Sequence, residues 1–173
     1  AFGRPFFIMT LITKRLILRA AKQDDLIDLY AIFSDTRAMR YLSTPPHQSP
    51  DRTQENLDRL IASGCNLLTY FVIEMAGRAI GTAGMHKTDE VGFLLHPDYW
   101  RQGIVTEAMN AIIPYLYDVT DHAQLTADAD PRNAASVGIL KSLGFQETHR
   151  AENTFCIKGE WSDSVYFALQ RPS

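Results

Sequence analysis

The stretch from Glu90 to Leu116 constrains this chain more than any other, because its apolar period changes once and abruptly. Glu90-Val91-Gly92-Phe93-Leu94-Leu95 is an apolar run of strand length, stopped by His96-Pro97-Asp98. From Thr106 the apolar residues Ala108, Met109, Ile112, Ile113 and Leu116 recur at helical spacing, with Pro114 predicting a kink. Between them lies Tyr99-Trp100-Arg101-Gln102-Gly103-Ile104-Val105-Thr106-Glu107-Ala108, a short loop with one glycine. The first amides of a helix have no partner within it and point outward with the positive end of the helix dipole. Such a junction can hold an anion such as a pyrophosphate, and Gly103 lets the backbone approach it without a Cβ. An ordinary strand-loop-helix connection with a turn glycine reads the same way, and this loop alone does not separate the two.

The rest of the chain supplies a frame. Arg15 to Arg19 alternates around an apolar centre and predicts a first strand. Asp24-Asp25 starts a helix carrying Leu26, Leu29, Tyr30 and Phe33. After the break Thr44-Pro45-Pro46-His47-Gln48, Ser49 and Pro50 open a second helix through Leu57, Leu60 and Ile61 to Gly64. Tyr70–Glu74 and Ala79–Met85 predict a hairpin turning at Ala76-Gly77-Arg78. Gln124–Asp128 is a short strand, and Asn133 caps a helix with Val137, Leu140 and Leu143 that stops at Gly144. Two closing strands flank Lys158-Gly159-Glu160-Trp161. The order β-α-α-β-β-β-α-β-α-β-β predicts a mixed sheet with helices packed on it.

Composition narrows the partners. The 173 residues are 46% hydrophobic and 21% charged, enough for one domain with a core. With 17 Lys+Arg against 20 Asp+Glu there is no basic excess for nucleic acid or an anionic membrane, whereas a small anionic ligand needs only a few local donors. Two cysteines, Cys65 and Cys156, make neither a disulfide framework nor a zinc site, so the chain reads as cytoplasmic, without a metal. No apolar run approaches the roughly 20 residues that span a bilayer. Residues 1–12 read as a leader, with Ala1 to Ile8 as upstream sequence, and 13–173 as a single domain.

Taken together, Glu90-Val91-Gly92-Phe93, the loop Tyr99 to Ala108, Asn133-Ala134-Ala135-Ser136 and Leu143-Gly144-Phe145 resemble the successive motifs of the GNAT superfamily of N-acetyltransferases. The opening Thr13 to Arg19 and the closing Gly159-Glu160-Trp161-Ser162-Asp163 are similar to its ribosomal-protein N-terminal (Rim-type) branch. The resemblance implies an α/β fold of the α+β kind: a mixed, mostly antiparallel sheet of about seven strands flanked by about four helices. It further implies transfer of an acetyl group from acetyl-CoA to an amine, a peptide N-terminus or a small molecule, by a monomer or homodimer. The sheet would open in a V between the strand ending at Leu95 and the one ending near Asp128. Phe93, Leu94 and Leu95 would bind pantetheine through their backbone, Arg101, Gln102, Gly103, Ile104, Val105 and Thr106 the pyrophosphate, and Asn133 the pantetheine or its sulfur end. Two positions depart from the pattern. Trp100 replaces the usual Gln or Arg, and Val105 the usual Gly or Ala, where a branched side chain would crowd the phosphates.

Direct attack on a thioester needs a neutral amine, and an alkyl ammonium has a pKa of about 10, so a base or water chain must take its proton. Glu90, at the start of the strand facing the opening and at the family's acidic position, is the candidate base, with a solvated strand-end carboxylate as the bland reading. His86 is the rival. Many relatives place a proton-donating Tyr where this chain has Leu140; Ser136 is the alternative donor unless its hydroxyl caps its own helix turn, and solvent can also serve. Tyr41, Phe155 and Trp161 are candidates for the acceptor pocket or the core, and Pro45-Pro46-His47 for a loop over it. Glu107 reads as a dipole-favouring first-turn acid, Asp128-Ala129-Asp130 as turn and cap chemistry rather than a metal pair, and Cys156 as no nucleophile. A catalytically silent acyl-CoA-binding module is the other function this pattern allows.

Overall fold

The computed structural model describes residues 9–173. Its period-two segments form β1 (Leu11–Ile12), β2 (Ile17–Arg19), β3 (Tyr70–Met75), β4 (Arg78–Met85), β5 (Val91–Leu95), β6 (Gln124–Ala129), β7 (Gln146–Ile157) and β8 (Glu160–Gln170). The helical segments are α1 (Leu26–Phe33), α2 (Pro50–Ser63), α3 (Ile104–Val119) and α4 (Ala134–Ser142). The expected order is present with one addition at its start. Leu11 and Ile12, assigned to the leader from sequence, pair antiparallel with Leu18 and Ile17, while Ala1 to Ile8 lie outside the described residues.

Strands β1 to β5 make one antiparallel sheet in chain order, and β6, β8 and β7 make a second. Tight turns set the hairpins. Ala76 and Gly77 both have positive φ (50° and 76°), as do Lys158 and Gly159 (50° and 83°), the left-handed pair that matches strand twist in a two-residue loop. The apolar run of β5 predicts a central strand, but β5 closes the first sheet. Its apolar side chains are covered by helices instead: Leu94 packs with Leu29, Ile32 and Leu57 of α1 and α2, and Phe93 and Leu95 pack with the α3 core.

Helix α3 is buried almost all round, with Ile104, Val105, Ala108, Met109, Ile112, Ile113 and Leu116 in the core. It begins two residues before the expected Thr106 and continues through Pro114. Ser49 sits at the N-cap of α2 as expected, yet its side chain makes no capping bond; Asn133 does cap α4, its side chain accepting from Ser136 N at 3.1 Å. The first strands are fastened by Arg19, which bonds Asp25 at 2.7 Å and Glu74 at 2.5 Å. Asp25 is 2% exposed, so removing the cation leaves a buried carboxylate uncompensated, at a cost of about 3–5 kcal/mol.

Candidate active site

Among the described residues the two sheets meet at one parallel bridge, Glu90 with Thr126, where Thr126 N also donates to Asp89 O. Beyond it β5 and β6 part, and main-chain groups that another strand would have taken are left facing the gap. His86 N donates to Glu90 O and His96 N to Ile80 O, so by antiparallel alternation the even residues of β5 bond β4 and the odd ones face outward. Phe93 and Leu95 therefore turn their main chain to the opening; Leu94, expected to do the same, spends its own on β4. Trp100 Nε1 bonds Leu95 O at 2.9 Å and braces the rim.

On one side of the split lies a cleft of about 650 Å³, bounded by Phe93 to Leu95, Tyr99 to Arg101, Gly103 to Thr106 and Arg132 to Ser136. Its floor is the loop singled out from sequence. Arg101 (φ 60°) and Gly103 (φ 71°) are both left-handed, curling the chain so that successive N–H groups converge. None of the main-chain N–H groups from Arg101 to Thr106 has a partner among the described residues. Thr13 and Arg15, in the turn between β1 and β2, hold this loop from behind. Arg15 Nη2 donates to Gln102 O (2.9 Å), Arg15 Nε to Glu107 Oε2 (2.7 Å), and Thr13 Oγ1 to Glu107 Oε1 (2.6 Å). Burial would raise the Glu107 carboxyl, but these bonds win and lower it; Glu107 is more than a dipole partner, since it ties the loop to the first strands. Val105 is 5% exposed, its branched side chain packed in the core although the residue also lines the cleft.

A second cleft of about 730 Å³ opens on the other side of the split. The two share Tyr41, Leu42, Phe93, Leu94, Asn133 and Ser136 in their linings, which makes the split a passage between them. Here stands a charged group: Glu90 Oε1 accepts from Lys87 Nζ at 2.8 Å and lies 3.1 Å from His86 Nε2. Gly92 makes room for the imidazole, because a Cβ there would meet His86 Cε1 at 3.1 Å. Burial pushes His86 below its ordinary 6.5 despite the nearby Glu90 carboxylate, leaving the ring neutral at pH 7. The bond to Glu90 raises Lys87. Asp128 lies in the expected strand β6 and lines this cleft, without the turn and cap role expected of it; the walls first and the Glu90 charge second push its carboxyl up, although water reaches it. Asp130 alone does the turn chemistry, accepting from Arg132 N at 2.8 Å and pairing with its guanidinium.

The remaining candidates divide. Ser136 lines both clefts and its hydroxyl makes no hydrogen bond among the described residues, so it does not cap its own turn. Leu140 is buried beside the second cleft and supplies no proton. Tyr41 and Phe155 line it; Trp161, 58% exposed, lines neither cleft. His47 is buried and lines neither cleft, stacked behind Phe33 of the second cleft and bonded to Thr53 at 2.8 Å, and the residues lining the passage from this region lie within Arg37 to Ser43 instead. Cys156 is exposed on β7. Lys87 is the residue sequence reasoning missed, reaching Glu90 across the turn after β4, and Asp128 is the one it gave another role, since only the bridge of β6 to Glu90 brings it to this cleft.

Residues 15–146 match the acetyltransferase (GNAT) domain family. The chain belongs to this family of acetyltransferases. An uncharacterized N-acetyltransferase p20 of Bacillus licheniformis is 28% identical over 170 residues, 92% of this chain and 95% of that one. The ribosomal-protein-S5-alanine acetyltransferase of Vibrio fischeri superposes with a TM-score of 0.79 at 23% identity, covering 94% and 96% of the two chains. The Microcin C7 self-immunity acetyltransferase MccE, solved with acetyl-CoA and AMP, gives 0.82 at 14% identity over 92% and 94%.

Proposed function

We propose that this acetyltransferase moves an acetyl group from acetyl-CoA to a primary amine, a peptide N-terminus or a small molecule, by direct attack. One observation carries the reading: a run of unpartnered N–H groups from Arg101 to Thr106 floors a cleft that opens, through the β5–β6 split, onto a second cleft holding a neutral imidazole. The run of donors at the positive end of α3 suits a pyrophosphate. The outward main chain of Phe93 and the N–H of Leu95 suit the amide groups of pantetheine, and Asn133 lines both clefts beside them. The loop is held by Arg15 and Glu107, so its donors are set before the ligand arrives and reorganise little on binding.

On the acceptor side, His86 takes the proton of the incoming ammonium, directly or through water, and Glu90 orients the ring by its 3.1 Å contact. Because Lys87 occupies the same Glu90 oxygen, Glu90 acts better as a partner of His86 than as the base itself. The freed amine lone pair attacks the thioester carbon while outward N–H groups of β5 receive the developing oxyanion. The C–S bond then breaks as the adduct nitrogen gives up its second proton, which reaches the departing thiolate through the Ser136 hydroxyl or through solvent, a thiol of pKa about 8.5 needing little help.

The test is calorimetry with acetyl-CoA and CoA, followed by release of the free thiol with a panel of amines. Coenzyme binding with amine-dependent release is expected. Binding without release by any amine would instead establish the silent acyl-CoA-binding module, the reading that the buried Leu140 favours.

A further inference from the structure

The acceptor-side cleft contains one carboxylate that the protein itself does not use. Glu90 is engaged by Lys87 and His86, and Asp130 by Arg132 at 2.6 Å. The Asp128 side chain has neither a hydrogen bond nor an ion pair among the described residues, though it lines the cleft. It lies on β6 two residues beyond Thr126, whose backbone is bridged to Glu90. Strand alternation puts Thr126 and Asp128 on one face, and Asp128 is within charge contact of Glu90, Lys87 and His86. Asp128 is exposed at the cleft wall and no side chain is bonded to its carboxylate, so a cation arriving in the cleft can take it as a partner. Since this cleft and the coenzyme cleft share Phe93, Asn133 and Ser136, a cation held at Asp128 stands beside the passage to the acyl group.

We propose that Asp128 anchors the ammonium group of the acceptor and so selects amines that are cationic near neutral pH, alkylamines and peptide α-amines, over neutral arylamines. The inference rests on the acetyl-transfer reading above. The charged acceptor gains a charge-assisted hydrogen bond that a neutral amine cannot make. An anchor of this kind favours the protonated form that must afterwards lose its proton to His86, so it acts on acceptor binding rather than on the chemical step. Its removal raises KM while changing kcat little.

The experiment measures thiol release by wild-type protein, Asp128→Asn and Asp128→Glu at saturating acetyl-CoA, with an alanyl tripeptide amide, spermidine and aniline as acceptors. Acetyl-CoA affinity of each variant, by calorimetry, controls for folding and for the coenzyme site. The expected result is a KM for the cationic acceptors raised about tenfold or more in Asp128→Asn, partial recovery in Asp128→Glu, unaltered acetyl-CoA affinity, and a loss of the preference for cationic amines over aniline. A KM within about twofold of wild type, or the same loss with aniline as with the cationic acceptors, overturns the role of Asp128 and leaves acetyl transfer standing. Failure of wild-type protein to bind acetyl-CoA, or to acetylate any amine, overturns the parent reading and this one with it.

Discussion

The two sides of the β5–β6 split are built from different material. The side proposed for the coenzyme presents main-chain N–H groups of Arg101 to Thr106, and the residues that depart from the family pattern stand in its wall, Val105 packed into the core and Trp100 bonded to Leu95 O. The side proposed for the acceptor presents side chains, His86, Lys87, Glu90, Asp128 and Tyr41, brought together from separate strands and a loop. Backbone donors survive most substitutions because every residue but proline has them. Side-chain donors do not, so one wall can keep a common ligand while the other changes acceptor.

That contrast can be broken at either wall. The largest effect is expected from His86→Gln: kcat/KM falls about 10²- to 10⁴-fold, the usual worth of a general base, with acetyl-CoA affinity unchanged by calorimetry. An equal loss of coenzyme affinity would mean that the walls are not separable. Next comes Gly103→Val, which forces a β-branched residue to a φ of 71°. At a strain of about 1–3 kcal/mol, acetyl-CoA binding weakens about five- to a hundredfold, whereas Gly103→Asn, which tolerates this region, loses far less. If both variants bind alike, backbone shape is not what the loop contributes. Arg15→Ala frees Gln102 O and Glu107 and should raise the acetyl-CoA Kd severalfold, about 1 kcal/mol for hydrogen bonds at a partly exposed site, leaving acceptor KM untouched. The smallest effect belongs to Ser136→Ala, at most about threefold in kcat if solvent can protonate a thiolate of pKa near 8.5; a loss beyond tenfold would make Ser136 the acid.

Acidity sharpens the comparison further. His86 sits below 6.5 because burial disfavours its charged form, and only the neutral ring accepts a proton. The acidic limb of kcat/KM should therefore lie below pH 6.5, with activity retained down to it and lost as the ring protonates. Glu90→Gln removes a charge that raises His86, so the limb moves further toward acid. A limb moving toward neutral pH would contradict the assignment of His86.

What could be read without coordinates was whatever rests on neighbours in the chain. The Asn133 cap, the Ala76-Gly77 turn, the strand-loop-helix at Gly103 and the order of elements are set by residues a few positions apart. The misread features depend on distant contacts. Leu11 and Ile12 become a strand only because Leu18 and Ile17 lie opposite. His47 leaves the pocket because Phe33 and Thr53 hold it. Trp161 turns to solvent although its position near a sheet end looks like that of a pocket aromatic.

By itself, then, the order of residues determined the elements, most of their caps and turns, and the glycine-bearing loop at one helix start, since those follow from local geometry and the period of apolar side chains. Tertiary structure alone decided that β5 and β6 separate after a single bridge, that Glu90 is shared by Lys87 and His86, and that Asp128 faces them unpaired. Glu90 and Asp128, 38 positions apart, line one cleft because β6 comes alongside the start of β5 at that bridge.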